Sequence, residues 1–274
     1  MQANIDPDLE REYNNRAKVP DFPVIARGWA TAAAAFRATH PCLDLAVPYG
    51  PSPRQTMDVF WPDTGRAAPL AVFFHGGYWQ ALDPSAFSHL AAGLLAHGIA
   101  VAMPSYDLCP QVTVAEIMEQ ARSATTALYT RHARPMLAMG HSAGGHLAAC
   151  LLATDWAARG LPAGIVPAAF SLSGLFDLAP LTHTSLNAAL RLDDAEATRL
   201  WPLHWPKPAG HLHAVVGAEE GDEYLRQSRA IAQAWGGGWE AMAGENHFSI
   251  LKLLARSDTT LTRKAVQLSR GIFN

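Results

Sequence analysis

The sequence predicts an α/β fold, a mostly parallel central sheet with helices on both faces. Three observations predict it. Short apolar runs of strand length alternate with longer helical patterns over about 200 residues, the signature of βα units. Several of those runs end in glycine or in a polar turn, where loops begin. The 274 residues are 49% hydrophobic and only 16% charged, enough to bury a large core in one domain.

The elements follow in order. Residues 6–38 read as a helical extension in two pieces: Asp6-Pro7 is an N-cap followed by proline in the first turn, and Pro20 and Pro23 interrupt the pattern before an alanine-rich helix. Residues 40–55 carry four prolines and read as loop or edge strand. Thr56–Trp61 alternates as a strand, and Leu70–Phe74 is a short buried strand running into Gly76-Gly77. Pro84–Ala96 reads as a helix stopped by Gly98, Ile99–Met103 as a strand, Val112–Arg131 as a long helix, and Met136–Met139 as a strand entering Gly140. Then come helix Ala143–Ala153, strand Ala168–Leu172, strand Leu212–Val216, helix Glu223–Trp235, strand Trp239–Ala243 and closing helices Phe248–Ala255 and Asp258–Arg270. Thr182–Pro208 is irregular and is the candidate for a small cap. In such sheets ligands sit at the carboxyl ends of the strands, so the loops there are where chemistry belongs.

Composition excludes several classes. A formal net charge of −3 with no long run of like charge lacks the basic footprint of a nucleic-acid binder. Cys42, Cys109 and Cys150 are odd in number and far apart, neither a disulfide framework nor a zinc site. The polar, acidic start has no signal-peptide pattern, and no apolar run spans a bilayer. The expectation is a cytoplasmic protein acting on a small molecule, away from membranes, with a homodimer as the one assembly considered.

Gly140-His141-Ser142-Ala143-Gly144 matches G-x-S-x-G between a predicted strand and a small-residue helix. That is the setting of a nucleophile elbow, a turn too tight for side chains two residues either side of the serine. The bland alternative is a serine capping a helix. About 65 residues earlier, His75-Gly76-Gly77 ends a strand where backbone amides can face a developing negative charge. Gly76 and Gly77, with Ala143 after the serine, are the candidate oxyanion donors, worth roughly 3 kcal/mol each in a transition state.

A serine needs a base. Of 12 histidines, His247 follows the last predicted strand, as the order serine, acid, histidine requires. His141 is expected to point away from Ser142 and bond locally, His75 to organise the glycine loop, and His211 and His213 to pack or face solvent. The acid belongs after the strand ending at Gly217, where Glu219, Glu220, Asp222 and Glu223 crowd together. Asp222 and Glu223 open a helix, where acids suit the dipole. Glu219 and Glu220 remain, with Asp177 as an outside candidate.

These residues resemble the kynurenine formamidase (arylformamidase) branch of the α/β-hydrolase fold. His75-Gly76-Gly77-Tyr78-Trp79 matches its HGGxW motif. Tyr13-Asn14-Asn15-Arg16, the elbow Gly140–Gly145, Ser173–Leu178, the Val216-Gly217 strand end with Glu223–Ser228, and Asn246-His247-Phe248 are similar to further segments of that branch. The resemblance favours Glu220 as the acid, with glutamate where the family often has aspartate, and Glu219 as runner-up. It implies no metal, no organic cofactor, and hydrolysis of an aryl formamide such as N-formylkynurenine or of a small carboxylic ester. Tyr78, Trp79, Phe176 and Phe248, which follow strands, are candidate pocket aromatics, as are Trp201 and Trp205 in the cap segment. A general carboxylesterase and a non-catalytic binding protein on the same fold are the competing readings.

Overall fold

The computed structural model describes residues 5–271. Eight strands form one sheet in the order β1-β2-β4-β3-β5-β6-β7-β8. The strands are β1 (Leu43–Pro48), β2 (Thr56–Phe60), β3 (Leu70–Phe74), β4 (Ala100–Pro104), β5 (Met136–His141), β6 (Ala168–Leu172), β7 (His211–Gly217) and β8 (Gly238–Met242). β1 and β2 are antiparallel, and β2 meets β4 antiparallel; every pair from β4 through β3 to β8 is parallel. The proline-rich stretch therefore does supply an edge strand, kinked where Ala46 takes a φ of 51°.

Side chains leave successive strand residues on opposite faces, and two cores result. Leu70, Val72 and Phe74 of β3 join one cluster, and Ala71 and Phe73 join the other. The helices labelled here are α1 (Pro7–Tyr13), α2 (Asn15–Lys18), α3 (Phe22–Thr39), α4 (Ala92–Leu95), α5 (Val114–His132), α6 (Ala143–Leu152), α7 (Asn187–Leu190), α8 (Asp194–Arg199), α9 (Asp222–Trp235) and α10 (Thr260–Ser269). α5, α6 and α9 cover the first face, and α3, α4 and α10 the second. α5 is bounded by a reciprocal Thr113–Glu116 capping box and by Ala133 in the left-handed region.

Three local expectations change. Pro23 does not break the extension but sits in the first turn of α3, where the missing N–H costs nothing. The extension is interrupted at residues 19–21 around Pro20, as expected, and also at Asn14, whose side chain caps α2. Residues 84–96 form 3₁₀ turns at Pro84–Ala86 and Ser88–Ala91 before the single turn of α4, because α3 packs on this segment and Arg37 reaches down to the Ser88 hydroxyl at 2.7 Å. Phe248–Ala255 is likewise a 3₁₀ turn over Ser249–Leu253. The Thr182–Pro208 stretch holds α7, α8 and a turn at Pro202–His204. It is tied to α1 through Glu10, which accepts from the Ser185 amide at 2.8 Å and hydroxyl at 2.7 Å. No helix among the described residues is long and apolar enough to cross a membrane.

Candidate active site

The carboxyl ends of β3, β5, β6, β7 and β8 lie along one edge of the sheet, and each feeds a loop into the same region. Ser142 sits between β5 and α6 with φ 57° and ψ −120°. A non-glycine residue in such a conformation stores of order 1–3 kcal/mol and persists only where its surroundings impose it. Here they do: the Ser142 amide donates to Leu172 O at 2.8 Å. A Cβ on Gly140 would meet Gly144 O at 2.0 Å, and one on Gly144 would meet Phe74 O at 2.0 Å. The bland reading of Ser142 as a helix cap fails, since its side chain makes no capping hydrogen bond.

Gly76 packs against the elbow: a Cβ there would lie 3.0 Å from both His141 O and Ser142 Cβ. Gly77 has φ +112°, open to glycine and strained for other residues. Among the described residues nothing accepts a hydrogen bond from the amides of Gly76, Gly77 or Ala143, so all three are uncommitted donors. His75 stacks on Tyr106 at 4.3 Å and bonds Gly76 O through Nδ1 at 2.7 Å; burial pushes its pKa down to about 4, keeping it neutral. It thus braces the glycine loop.

Glu220 is the carboxylate that meets His247. Its Oε2 lies 2.6 Å from His247 Nδ1, and its Oε1 accepts from the Ser173 hydroxyl at 2.5 Å and the Gly217 amide at 2.7 Å. The Glu220 side chain is fully buried, so those three donors compensate its desolvation. A carboxylate beside Nδ1 holds the proton there and leaves Nε2 as the basic nitrogen. Glu219 is exposed. Asp177 is bound to Arg226 at 2.8 Å, as is Glu223 at 2.7 Å, so both are spent in an ion-pair cluster.

Ser142 and His247 open into one cavity of about 380 Å³. Tyr78 and Phe248 line it, but Trp79 and Phe176 do not. Both are fully buried in the core under α6: Trp79 packs edge-on against His146 at 5.2 Å, and the Phe176 amide is tied to Gln227 Oε1 at 2.7 Å. Trp201 stacks on His204 at 3.9 Å, away from the cavity, and the cap segment contributes Ser185 and Leu186 instead. His141 also departs from expectation. It lines the cavity and bonds across the site, Nε2 to His247 O at 2.7 Å. Burial, then the neighbouring His247, holds its pKa well below the ordinary value, so it donates one fixed bond that anchors the histidine loop. His213 bonds Glu240 at 2.9 Å at the sheet's far side.

Sequence reasoning gave no role to the N-terminal helices, yet Tyr13, Asn15, Phe22 and Trp29 form much of the cavity wall. Phe22 packs on Phe248 with ring centres 4.4 Å apart, closing the side nearest His247. Behind the cavity Tyr224 has its ring 4.7 Å from that of His247 and its hydroxyl 2.5 Å from that of Tyr78. Burial raises its pKa, while the hydrogen bonds with Tyr78 and Asn15 oppose the rise. Tyr13, Asn15, Tyr78 and Tyr224 fall in segments similar to the formamidase branch, while no signal in the sequence pointed to Phe22 or Trp29.

Residues 71–236, more than half of the chain, match the family of the alpha/beta hydrolase fold. The chain belongs to the α/β-hydrolase family. Within it, this hydrolase is 29% identical over 238 residues to the kynurenine formamidase of Danio rerio, covering 82% of this chain and 81% of the relative. It is 30% identical over 229 residues to that of Drosophila melanogaster, covering 77% and 76%. The crystal structure of a "putative thioesterase" from Silicibacter sp. superposes with a TM-score of 0.88 at 34% identity, covering 94% of this chain and 99% of that one. The chain is therefore an enzyme of the arylformamidase/esterase-like branch, and a purely binding role is set aside.

Proposed function

We propose that this hydrolase cleaves a small aryl formamide, N-formylkynurenine-like, through an acyl-enzyme on Ser142. What carries the reading is the buried Glu220–His247 link opening, with Ser142, into one aromatic-walled cavity. The formamidase relatives support the substrate class.

In this reading His247 Nε2 takes the Ser142 proton as Oγ attacks the formyl carbon. The amides of Gly76, Gly77 and Ala143 hold the oxyanion. Glu220 keeps the imidazole in the productive tautomer and stabilises its charged form. The carbon–nitrogen bond breaks as His247 returns the proton to the leaving arylamine, which departs and leaves formyl-Ser142. Water, giving its proton to His247, attacks the formyl ester; formate leaves and the proton returns to Oγ. Short carboxylic esters follow the same course with an alcohol leaving, and a general carboxylesterase is the second reading, favoured by the likeness to the structure described as a putative thioesterase.

Measuring kcat/KM for N-formylkynurenine against p-nitrophenyl acetate and butyrate separates the two. A preference for the formamide is expected; a strong preference for the esters makes formamide cleavage a side activity and overturns the proposal. The three unpaired cysteines support a reducing, cytoplasmic setting. The homodimer considered from sequence is open to static light scattering.

A further inference from the structure

We propose that Arg16, at the mouth of the cavity, pairs with a carboxylate carried by the leaving half of the substrate. The inference deepens the formamidase reading by assigning the residue that selects the arylamine, and it rests on His247 as the group that protonates that half.

The cavity carries a positive charge that the protein leaves unused. Among the described residues that line it, Arg16 is the one permanent cation and Glu10 the one carboxylate. No ion pair joins them. Both Glu10 oxygens accept from Ser185 instead, from its amide at 2.8 Å and its hydroxyl at 2.7 Å. The other cations of this stretch are also taken: Arg11 meets Asp8 at 2.8 Å, and Lys18 meets Glu12 at 3.0 Å. Arg16 has no hydrogen bond or ion pair among the described residues; its guanidinium carbon lies over the Phe22 ring, 5.0 Å from the ring centre. Stacking occupies the flat face of the group and leaves its five N–H donors, which lie in the plane, free at the edge. A planar fork held on one face and open at its edge is the shape that binds a carboxylate through two parallel hydrogen bonds. Because the stack already orders the side chain, less rotamer freedom is lost on binding.

The place of Arg16 in the wall says which half of the substrate it reads. Attack by Ser142 on a carbonyl carbon sends the oxyanion towards the Gly77 and Ala143 amides and the leaving group towards the base. Phe22 packs on Phe248 with ring centres 4.4 Å apart, and the Phe248 ring meets that of His247 edge-on at 5.2 Å. Arg16 lies over the far end of this row of rings, so it stands on the His247 side. Phe22, Trp29 and Phe248 offer an aryl ring an apolar bed there. An acid on the arylamine or phenol that leaves reaches Arg16 while its ring rests on that bed; an acid on the acyl half points elsewhere.

The test uses acetate esters, so that it does not depend on formamide cleavage. Acetoxybenzoate and acetoxyphenylacetate, as meta and para isomers, are each compared with their own primary carboxamide, which matches the shape without the charge. The wild-type enzyme is expected to prefer the acid in at least one pair, by about five- to tenfold in kcat/KM. Arg16→Gln should remove most of that preference, and Arg16→Lys should retain part of it. Raising salt from ~0.02 M to ~0.5 M should shrink it in the wild type. Monophenyl adipate and its carboxamide carry the same contrast on the acyl half and should show no preference that depends on Arg16. Arg16 is exposed, so the variants are expected to fold, and labelling of Ser142 by a fluorophosphonate reports that they have. No preference for the acid in any leaving-half pair, a preference that survives Arg16→Gln or high salt, or an Arg16-dependent preference in the adipate pair overturns the inference and leaves the formamidase reading to its own comparison of formamide with ester. A wild-type enzyme that shows the Arg16-dependent preference on esters but leaves formamides uncleaved overturns that reading and keeps the inference.

Discussion

Replacing Glu220 by glutamine tests the site at its most constrained point. The substitution is nearly isosteric in a fully buried position, so packing is preserved. Its effect follows from the hydrogen bonds. The Oε1 position faces two donors, the Ser173 hydroxyl at 2.5 Å and the Gly217 amide at 2.7 Å, so the amide oxygen of glutamine must go there. The NH₂ is then forced to the Oε2 position, 2.6 Å from His247 Nδ1. Facing a donor, Nδ1 gives up its proton, which moves to Nε2. The nitrogen that should take the Ser142 proton is then already protonated, and the imidazolium loses its counter-charge. In a serine protease the equivalent carboxylate-to-amide change costs about 10⁴ in kcat; a loss of about 10³–10⁴ is expected here, or roughly 4–5.5 kcal/mol of transition-state stabilisation. Steady-state hydrolysis of p-nitrophenyl acetate between pH 6 and 9 measures it, with urea unfolding as the control for the fold. Activity within about tenfold of wild type would refute the tautomer argument. Glu219→Gln, on an exposed side chain, is the matched control and is expected to change turnover by less than about twofold.

Gly144→Ala places a methyl 2.0 Å from Phe74 O, 2.6 Å from Phe74 C and 2.7 Å from His75 O, all backbone atoms. It should cost at least about 2–3 kcal/mol, read as a drop in Tm, and should displace the glycine loop; an unchanged Tm contradicts the packing. Tyr13→Phe removes the buried hydroxyl that bonds Glu223 at 2.8 Å and Gln227 at 2.8 Å but keeps the carbonyl facing Tyr78. It should lose about 1–3 kcal/mol of stability with little effect on kcat; the opposite pattern would mean that the hydroxyl itself serves the site. His75 and His146 are buried with pKa values pushed down to about 4, and His141 lies well below its ordinary value. The unfolded chain therefore takes up protons that the native chain refuses. Stability is full above about pH 6.5 and falls towards pH 4 by up to about 1.4 kcal/mol per pH unit for each such histidine; urea midpoints that stay constant from pH 7 to 5 would contradict this. Cys42 is exposed, while burial pushes the Cys109 and Cys150 thiols up to about 11 and about 12. A thiol-disulfide reagent should modify one cysteine quickly in the native enzyme and the other two on unfolding.

The sequence by itself determined whatever depends on chain-local physics. Alternation of apolar runs and helices set the parallel sheet, since βα units have few other ways to bury both faces. The close approach of Gly140 and Gly144 made the elbow legible, because a turn that excludes side chains must be written in glycine. The position of His247 after the last strand singled it out, and the structure brings its Nδ1 to Glu220. Tertiary structure alone decided what depends on partners far apart in the chain. Glu220 stood among four carboxylates, and only the burial that delivers Ser173, Gly217 and His247 to it marks it out. Trp79 and Phe176 follow strands just as Tyr78 and Phe248 do, but a side chain's direction at the sheet edge is set by what packs on it, and those two turned into the core. The helices at 7–39 read as an appendage, yet they wall the cavity and carry Asn15 to within 2.7 Å of a phenol 209 residues away. Hydrogen bonds of that span leave no periodicity to read, since the bonded groups become neighbours only after the sheet has formed.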